Sequence, residues 1–218
     1  MSVERPSNRL KTGFKLLDKA LGGGLTIGST ILLAGGRGFG KTTLALQSAI
    51  RPMLYASGEQ QDSDLSLSAK RVLASRKGLK FLGYESDAEK VAALAEKTRP
   101  AMVVVDSLQT AYLKEIKRNV GSRAQIEAVA RYFADFATRT GIAVLLISHV
   151  NRAGEAAVTQ SVLHLVDTVL YLAFDGDDDA AQVFRTVLVD KDRYGAAPAE
   201  CTFKLTYKGF IETPLRRR

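Results

Sequence analysis

Residues 35–42 read Gly-Gly-Arg-Gly-Phe-Gly-Lys-Thr, a complete G-x-x-x-x-G-K-[ST] loop. That order of residue types suits the holding of phosphate. Gly35, Gly36, Gly38 and Gly40 let the backbone wrap closely around phosphate oxygens. Successive N–H groups then point inward, those of Arg37 and Phe39 among them. Lys41 reaches the β- and γ-phosphates, the Thr42 hydroxyl ligates Mg²⁺, and Thr43 completes the residues expected to touch ATP. Such a loop works only between a strand and a helix. Residues 30–34 read as a buried strand and residues 43–49 as a helix, whose positive dipole end adds attraction for phosphate.

Hydrolysis needs more than a phosphate loop: a metal partner, a group that orients water, and stabilisation of the departing charge. Val103-Val104-Val105-Asp106 is a hydrophobic strand ending in an acid, which makes Asp106 the expected partner of Thr42 in holding Mg²⁺. Glu59 follows a second strand at 53–56 and is placed to polarise the attacking water. His149 ends an apolar strand at 142–148, and strand C-terminal ends face the ligand crevice in open α/β sheets. His149 is therefore expected to sense the γ-phosphate, whereas His164, inside Val-Leu-His-Leu, reads as structural.

The elements that must position these residues alternate between apolar runs and helical patterns. Helical spacing predicts helices over 65–75, 87–97 and 123–140, and a short strand at 80–84. Beyond about residue 160 the texture changes. Residues 169–174, an acidic turn at 175–179 and residues 183–189 read as an antiparallel hairpin, followed by short strands at 201–206 and 209–211. The expected fold is α/β: a mostly parallel central sheet flanked by helices, with antiparallel strands added at the C-terminal edge. One domain over 1–218 is expected, with flexible tails at 1–8 and 212–218. Residues 112–122 and 150–161 lack periodicity and are predicted to be mobile loops.

Composition narrows the setting. The 218 residues are 46% hydrophobic and 25% charged, ordinary for a globular protein. The longest apolar run, 141–147, is too short to span a bilayer, and the polar N-terminus shows no secretory signal. The single cysteine, Cys201, and two histidines leave no disulfide framework and no Cys or His metal cluster, so a cytoplasmic location is expected. The net charge is +8; residues 1–50 carry seven basic and two acidic side chains, and the chain ends Arg216-Arg217-Arg218. Such a balance draws a protein to polyanions, nucleic acid among them.

Taken together, the motifs resemble the RecA superfamily, and within it the ATPase core of the bacterial RadA (Sms) branch-migration proteins, from about residue 9 to residue 209. The segment from Arg9 to Phe14 with residues 17–25 is similar to the family's opening segment and its LGGG turn. Ser57-Gly58-Glu59 resembles SGEES, with Gln60-Gln61 replacing the last two residues; residues 105–110 resemble IDSIQT, and residues 121–125 resemble GSVSQ. Ser148-His149-Val150 is similar to GHV and residues 164–171 to HMVDTVLYF. Lys191-Asp192-Arg193-Tyr194-Gly195 resembles the KNRFG signature, with Asp for Asn and Tyr for Phe.

The resemblance implies a RecA-type core with Glu59 as catalytic carboxylate and His149 as γ-phosphate sensor. It implies that Lys191 and Arg193 project across a subunit boundary toward a neighbour's ATP in a ring or filament. Single-stranded DNA is then held by the two loops, with Lys114, Lys117, Arg118, Arg123 and Arg152 on phosphates and Tyr112 on a base. A recombinase or replicative helicase is an implied partner. The family's four-cysteine zinc module and Lon-like domain have no counterpart here, which suggests an excised core or a minimal, phage-type relative. The function so implied is a DNA-stimulated ATP-driven motor in recombination, branch migration or replication repair. A KaiC-like signalling ATPase, which shares the opening segment and the phosphate loop, is the alternative.

Overall fold

The computed structural model describes residues 8–73, 77–149, 159–174, 183–195 and 197–213. The acidic turn at 175–179, Arg152 and Arg216-Arg217-Arg218 lie outside the described residues. In chain order the elements are β1 (Arg9–Leu10), α1 (Lys15–Ala20), β2 (Leu25–Thr26), β3 (Thr30–Gly35), α2 (Lys41–Gln47), β4 (Met53–Ser57), α3 (Asp62–Val72), β5 (Leu79–Gly83) and α4 (Ala88–Thr98). They continue with β6 (Met102–Asp106), α5 (Arg123–Thr140), β7 (Ala143–His149), α6 (Gln160–Leu165), β8 (Thr168–Phe174), β9 (Phe184–Asp192), β10 (Ala199–Thr206) and β11 (Gly209–Thr213).

The main sheet runs β11-β10-β9-β8-β3-β7-β6-β4-β5. Every pairing from β8 to β5 is parallel, and β8–β9, β9–β10 and β10–β11 are antiparallel, so the expected extension of a parallel core at one edge is what forms. The central strands are buried on both faces, which is why they read as unbroken apolar runs rather than alternating ones. Successive side chains still feed opposite layers. Ile31 and Leu33 of β3 pack with Leu44, Leu46 and Leu65 of α2 and α3, while Leu32 packs with Val129, Phe133 and Ala137 of α5. The sheet is thus covered on both faces, and the C-terminal hairpin closes one layer through Phe203 and Phe210, whose rings meet edge-on at 5.6 Å.

Local chemistry sets the helix ends. Asp87 accepts hydrogen bonds from the Glu89 and Lys90 amides and starts α4; Ser122 accepts from the Gln125 amide and starts α5. Gly141, at φ 73°, ends α5 in the left-handed conformation that a side chain resists.

Several boundaries differ from expectation. The helix expected over 43–49 begins at Lys41 and ends at Gln47, and the one expected over 65–75 spans Asp62–Val72. The last strand runs to Thr213, so residues 212 and 213 are not tail; the Glu212 carboxylate accepts from the Leu16 amide. The short elements β1, β2, α1 and α6 were not foreseen, because two to six residues do not show a period. Residues 160 and 161, expected in a loop, begin α6. The 112–122 segment, expected to be mobile, is gathered around one side chain. Gln125 accepts from the Leu113 amide at 3.0 Å and donates to the carbonyls of Leu113, Ile116 and Arg118 at 3.1, 2.8 and 3.4 Å. Hydrogen bonds to a single amide side chain leave no periodic trace in a sequence.

Candidate active site

The phosphate loop follows β3 at the C-terminal end of the parallel strands. Its glycines are required by contact as well as by turning. A Cβ on Gly35 would lie 2.6 Å from the Leu172 carbonyl oxygen on β8, and one on Gly36 would lie 2.6 Å from the Phe39 ring. Gly38 and Gly40 sit at φ 77° and 103°. Lys41 opens α2 with 5% of its surface exposed, and its Nζ donates to the carbonyls of Gly35 at 2.7 Å and Gly36 at 2.9 Å. Burial holds its ammonium below the usual lysine range, opposed by the nearby Asp106 and Glu59 carboxylates. Arg37 is exposed, and the Phe39 amide donates to the Gly36 carbonyl at 3.3 Å across the loop.

Asp106 ends β6 beside this loop, buried, where register pairs it with Ser57 of β4. Its Oδ2 accepts from Thr42 Oγ1 at 2.9 Å and from the Tyr55 hydroxyl at 2.6 Å. Burial pushes its carboxyl above the ordinary aspartate range, and the two hydroxyl donors pull it back. Thr42 and Asp106 therefore present adjacent hard oxygens of the kind that Mg²⁺ takes, alongside water and phosphate oxygens. Among the described residues no cluster of three or more His, Cys, Asp or Glu forms.

Glu59 follows β4, and its carboxylate faces the same cleft. Glu59 Oε1 accepts from Ser107 Oγ at 3.0 Å and lies 3.4 Å from His149 Nε2. Gln109 ties this corner down: its Nε2 donates to Ser148 Oγ at 2.8 Å and its Oε1 accepts from the His149 amide at 3.3 Å. Lys41, Thr42, Glu59, Asp106 and His149 line one cleft of about 290 Å³, with Arg71 of α3 at its wall.

Residues 3–155 match the model of an AAA domain, the AAA_25 family. The chain belongs to that family. It is 36% identical over 211 residues to the DNA repair protein RadA of Aquifex aeolicus, covering 94% of this chain and 46% of the relative. RadA of Escherichia coli is 34% identical over 209 residues, covering 94% of this chain and 44% of the relative. The chain thus spans under half the length of the curated relatives it matches. Among solved structures the ATPase domain of G40P superimposes with a TM-score of 0.78 at 15% identity, covering 97% of this chain and 94% of that one. A KaiC-like protein of Pyrococcus horikoshii gives 0.73 at 18%, covering 96% and 100%. These likenesses establish the RecA-like P-loop ATPase fold; at such identities they establish the fold alone.

Two expected site residues, Lys191 and Arg193, lie apart from the cleft and beyond the residues that match the AAA domain. Lys191, near the end of β9, donates to the carbonyls of Leu163 and Val166 at 2.8 and 2.7 Å. Arg193 pairs with Asp167 at 2.8 Å, and Asp167 in turn accepts from the Thr30 amide at 2.9 Å. Thr30 begins β3 and Gly35 ends it, so these cations sit at the opposite end of the sheet from their own phosphate loop, roughly 17 Å along the strand. Asp192, which stands where the KNRFG signature has Asn, turns inward: it accepts from the Tyr194 amide at 3.2 Å and lies 4.0 Å from the Arg9 guanidinium.

The described basic residues of the expected DNA surface, Lys114, Lys117, Arg118 and Arg123, gather on the 112–122 segment and the start of α5, all exposed. Lys114 pairs at 2.8 Å with Asp87. Burial raises the Asp87 carboxyl, but Lys114 and the two capping amides outweigh it and hold it below the usual range. Lys117 donates to the Lys114 carbonyl at 3.1 Å and Arg123 pairs with Glu127 at 2.9 Å. Arg152 lies outside the described residues. Sequence reasoning missed Tyr55, Ser107, Gln109 and Arg71. Ser107 and Gln109 lie beside Asp106 within the IDSIQT-like stretch, so their nearness was a usable signal; Tyr55 and Arg71 read as ordinary strand and helix residues.

Proposed function

We propose that this AAA domain hydrolyses ATP with Mg²⁺ between copies of itself, as a motor on single-stranded DNA in recombination, branch migration or replication repair. The observation that carries the proposal is the convergence of Lys41 and Thr42 of the phosphate loop, Glu59 after β4 and Asp106 at the end of β6, three separate segments, on one cleft. In this reading the loop amides and Lys41 bind the β- and γ-phosphates, Lys41 giving up two carbonyl partners to do so. Thr42 and Asp106 would hold Mg²⁺, which when bound would supply charge neutralisation at the phosphate oxygens. Glu59 orients the attacking water and accepts its proton, with Ser107 fixing the carboxylate. His149 shares the same Glu59 oxygen, so a γ-phosphate drawing on either residue is felt by the other, which is the basis of its sensing role.

Lys191 and Arg193 add positive charge to the transferring phosphoryl group of a neighbouring copy. Their distance from their own loop supports a trans role, because no side chain spans a strand's length. DNA binding rests on the basic surface around residues 114–123 and on the names of the RadA relatives.

The test is phosphate release from ATP with and without Mg²⁺. Glu59→Gln is expected to slow release by about a hundredfold or more while ATP affinity stays within about threefold. Turnover at the unmodified rate in Glu59→Gln would remove Glu59 from the chemistry.

A further inference from the structure

Arg185 is 5% exposed and belongs to none of the motifs used above. It lies near the start of β9, in the antiparallel edge of the sheet, yet its side chain reaches the phosphate loop. Its Nε donates to the Phe39 carbonyl at 3.1 Å, and a terminal nitrogen donates to the Phe184 carbonyl at 2.9 Å. Its guanidinium lies over the Phe174 ring, 4.1 Å from the centroid. That ring meets Phe39 edge-on at 4.2 Å, and Phe39 folds across Gly36. The middle of the phosphate loop is thus gripped from outside, its one large ring packed and its carbonyl turned toward a cation.

The grip has an electronic consequence. The Phe39 carbonyl and the Gly40 N–H belong to one planar trans peptide and point in opposite directions. With the carbonyl aimed at Arg185, the Gly40 N–H faces the other way, and a charge-assisted bond at the oxygen strengthens the N–H as a donor. Packing alone does not account for the residue: an apolar side chain of similar volume fills such a place without the desolvation cost of a cation.

We propose that Arg185 is a positioning residue of the phosphate loop, fixing and polarising the Phe39–Gly40 peptide so that its N–H binds the phosphate chain of a nucleoside di- or triphosphate. This rests on the ATP reading of the loop.

The experiment uses the full chain and equilibrium binding of ADP and ATP, with the unfolding midpoint of each variant measured without nucleotide. Arg185→Met is expected to bind both nucleotides about tenfold more weakly, and Arg185→Lys to recover most of the loss. Millimolar guanidinium is expected to restore part of the affinity of Arg185→Ala, a response that lost packing does not give. Phe174→Leu, which keeps bulk but removes the ring face under the guanidinium, provides a milder variant with an expected loss of about threefold. Affinity within about twofold of wild type in Arg185→Met and Phe174→Leu overturns the proposal, as does a loss that neither Lys nor guanidinium repairs. Lys41→Ala separates the two readings. Wild-type affinity there overturns the ATP assignment itself; lost affinity there with none lost at Arg185 overturns only the role of Arg185.

Discussion

Asp106 shows how the site trades stability for chemistry. It is a carboxylate held away from water beside two hydroxyl donors, with its pKa raised by burial. A group whose folded pKa is raised contributes stability that is fully present below the unfolded pKa and is lost as pH rises through the folded one. Asp106→Asn removes that loss. Without Mg²⁺ the variant is expected to unfold at a higher temperature than wild type near neutral pH, with the gap closing as pH falls into the carboxylate range, while ATP turnover drops by about a hundredfold or more. Thermal unfolding across pH, alongside phosphate release, checks both halves. Asp106, Glu59 and the phosphate loop were legible because each is a polar residue at the end of an apolar run. Tyr55 was not: its hydroxyl matters only because β4 lies beside β6, an adjacency that strand order decides.

The elements were legible where they are long and periodic. All three helices expected from spacing formed, and α5 matches its expected span residue for residue. What escaped was order within the aperiodic stretches. The 112–122 segment is shaped by Gln125, whose buried amide satisfies several of its backbone groups. Gln125→Ala leaves the Leu113 amide and carbonyl without that partner and is expected to cost about 1–3 kcal/mol in denaturant unfolding. Because the same segment carries Lys114, Lys117 and Arg118, the variant is also expected to weaken binding to single-stranded DNA although no cation is removed. Unchanged DNA affinity would detach this segment from the DNA surface.

At the scale of the whole molecule the decisive feature is the separation of Lys191 and Arg193 from their own phosphate loop. In the proposed head-to-tail assembly each site would combine Lys41 of one copy with the two cations of the next. Lys41→Ala chains and Lys191→Ala/Arg193→Ala chains are each expected to be inactive alone. An equal mixture is expected to regain activity at about a quarter of the sites, those where both intact halves meet. Activity no greater than the sum of the separate chains would contradict sites shared between copies. The net charge of +8 and the basic surface belong to this scale as well, since they act through the summed field rather than through one contact.

ATP turnover with and without single-stranded DNA, at low and moderate salt with Lys41→Ala as blank, tests the central claim most directly. The account predicts several-fold stimulation by DNA that fades as salt rises, as displacement of counterions from phosphates requires. Turnover that is abolished in Lys41→Ala but indifferent to DNA at every salt concentration would contradict a DNA motor and favour the KaiC-like reading, in which the partner is protein.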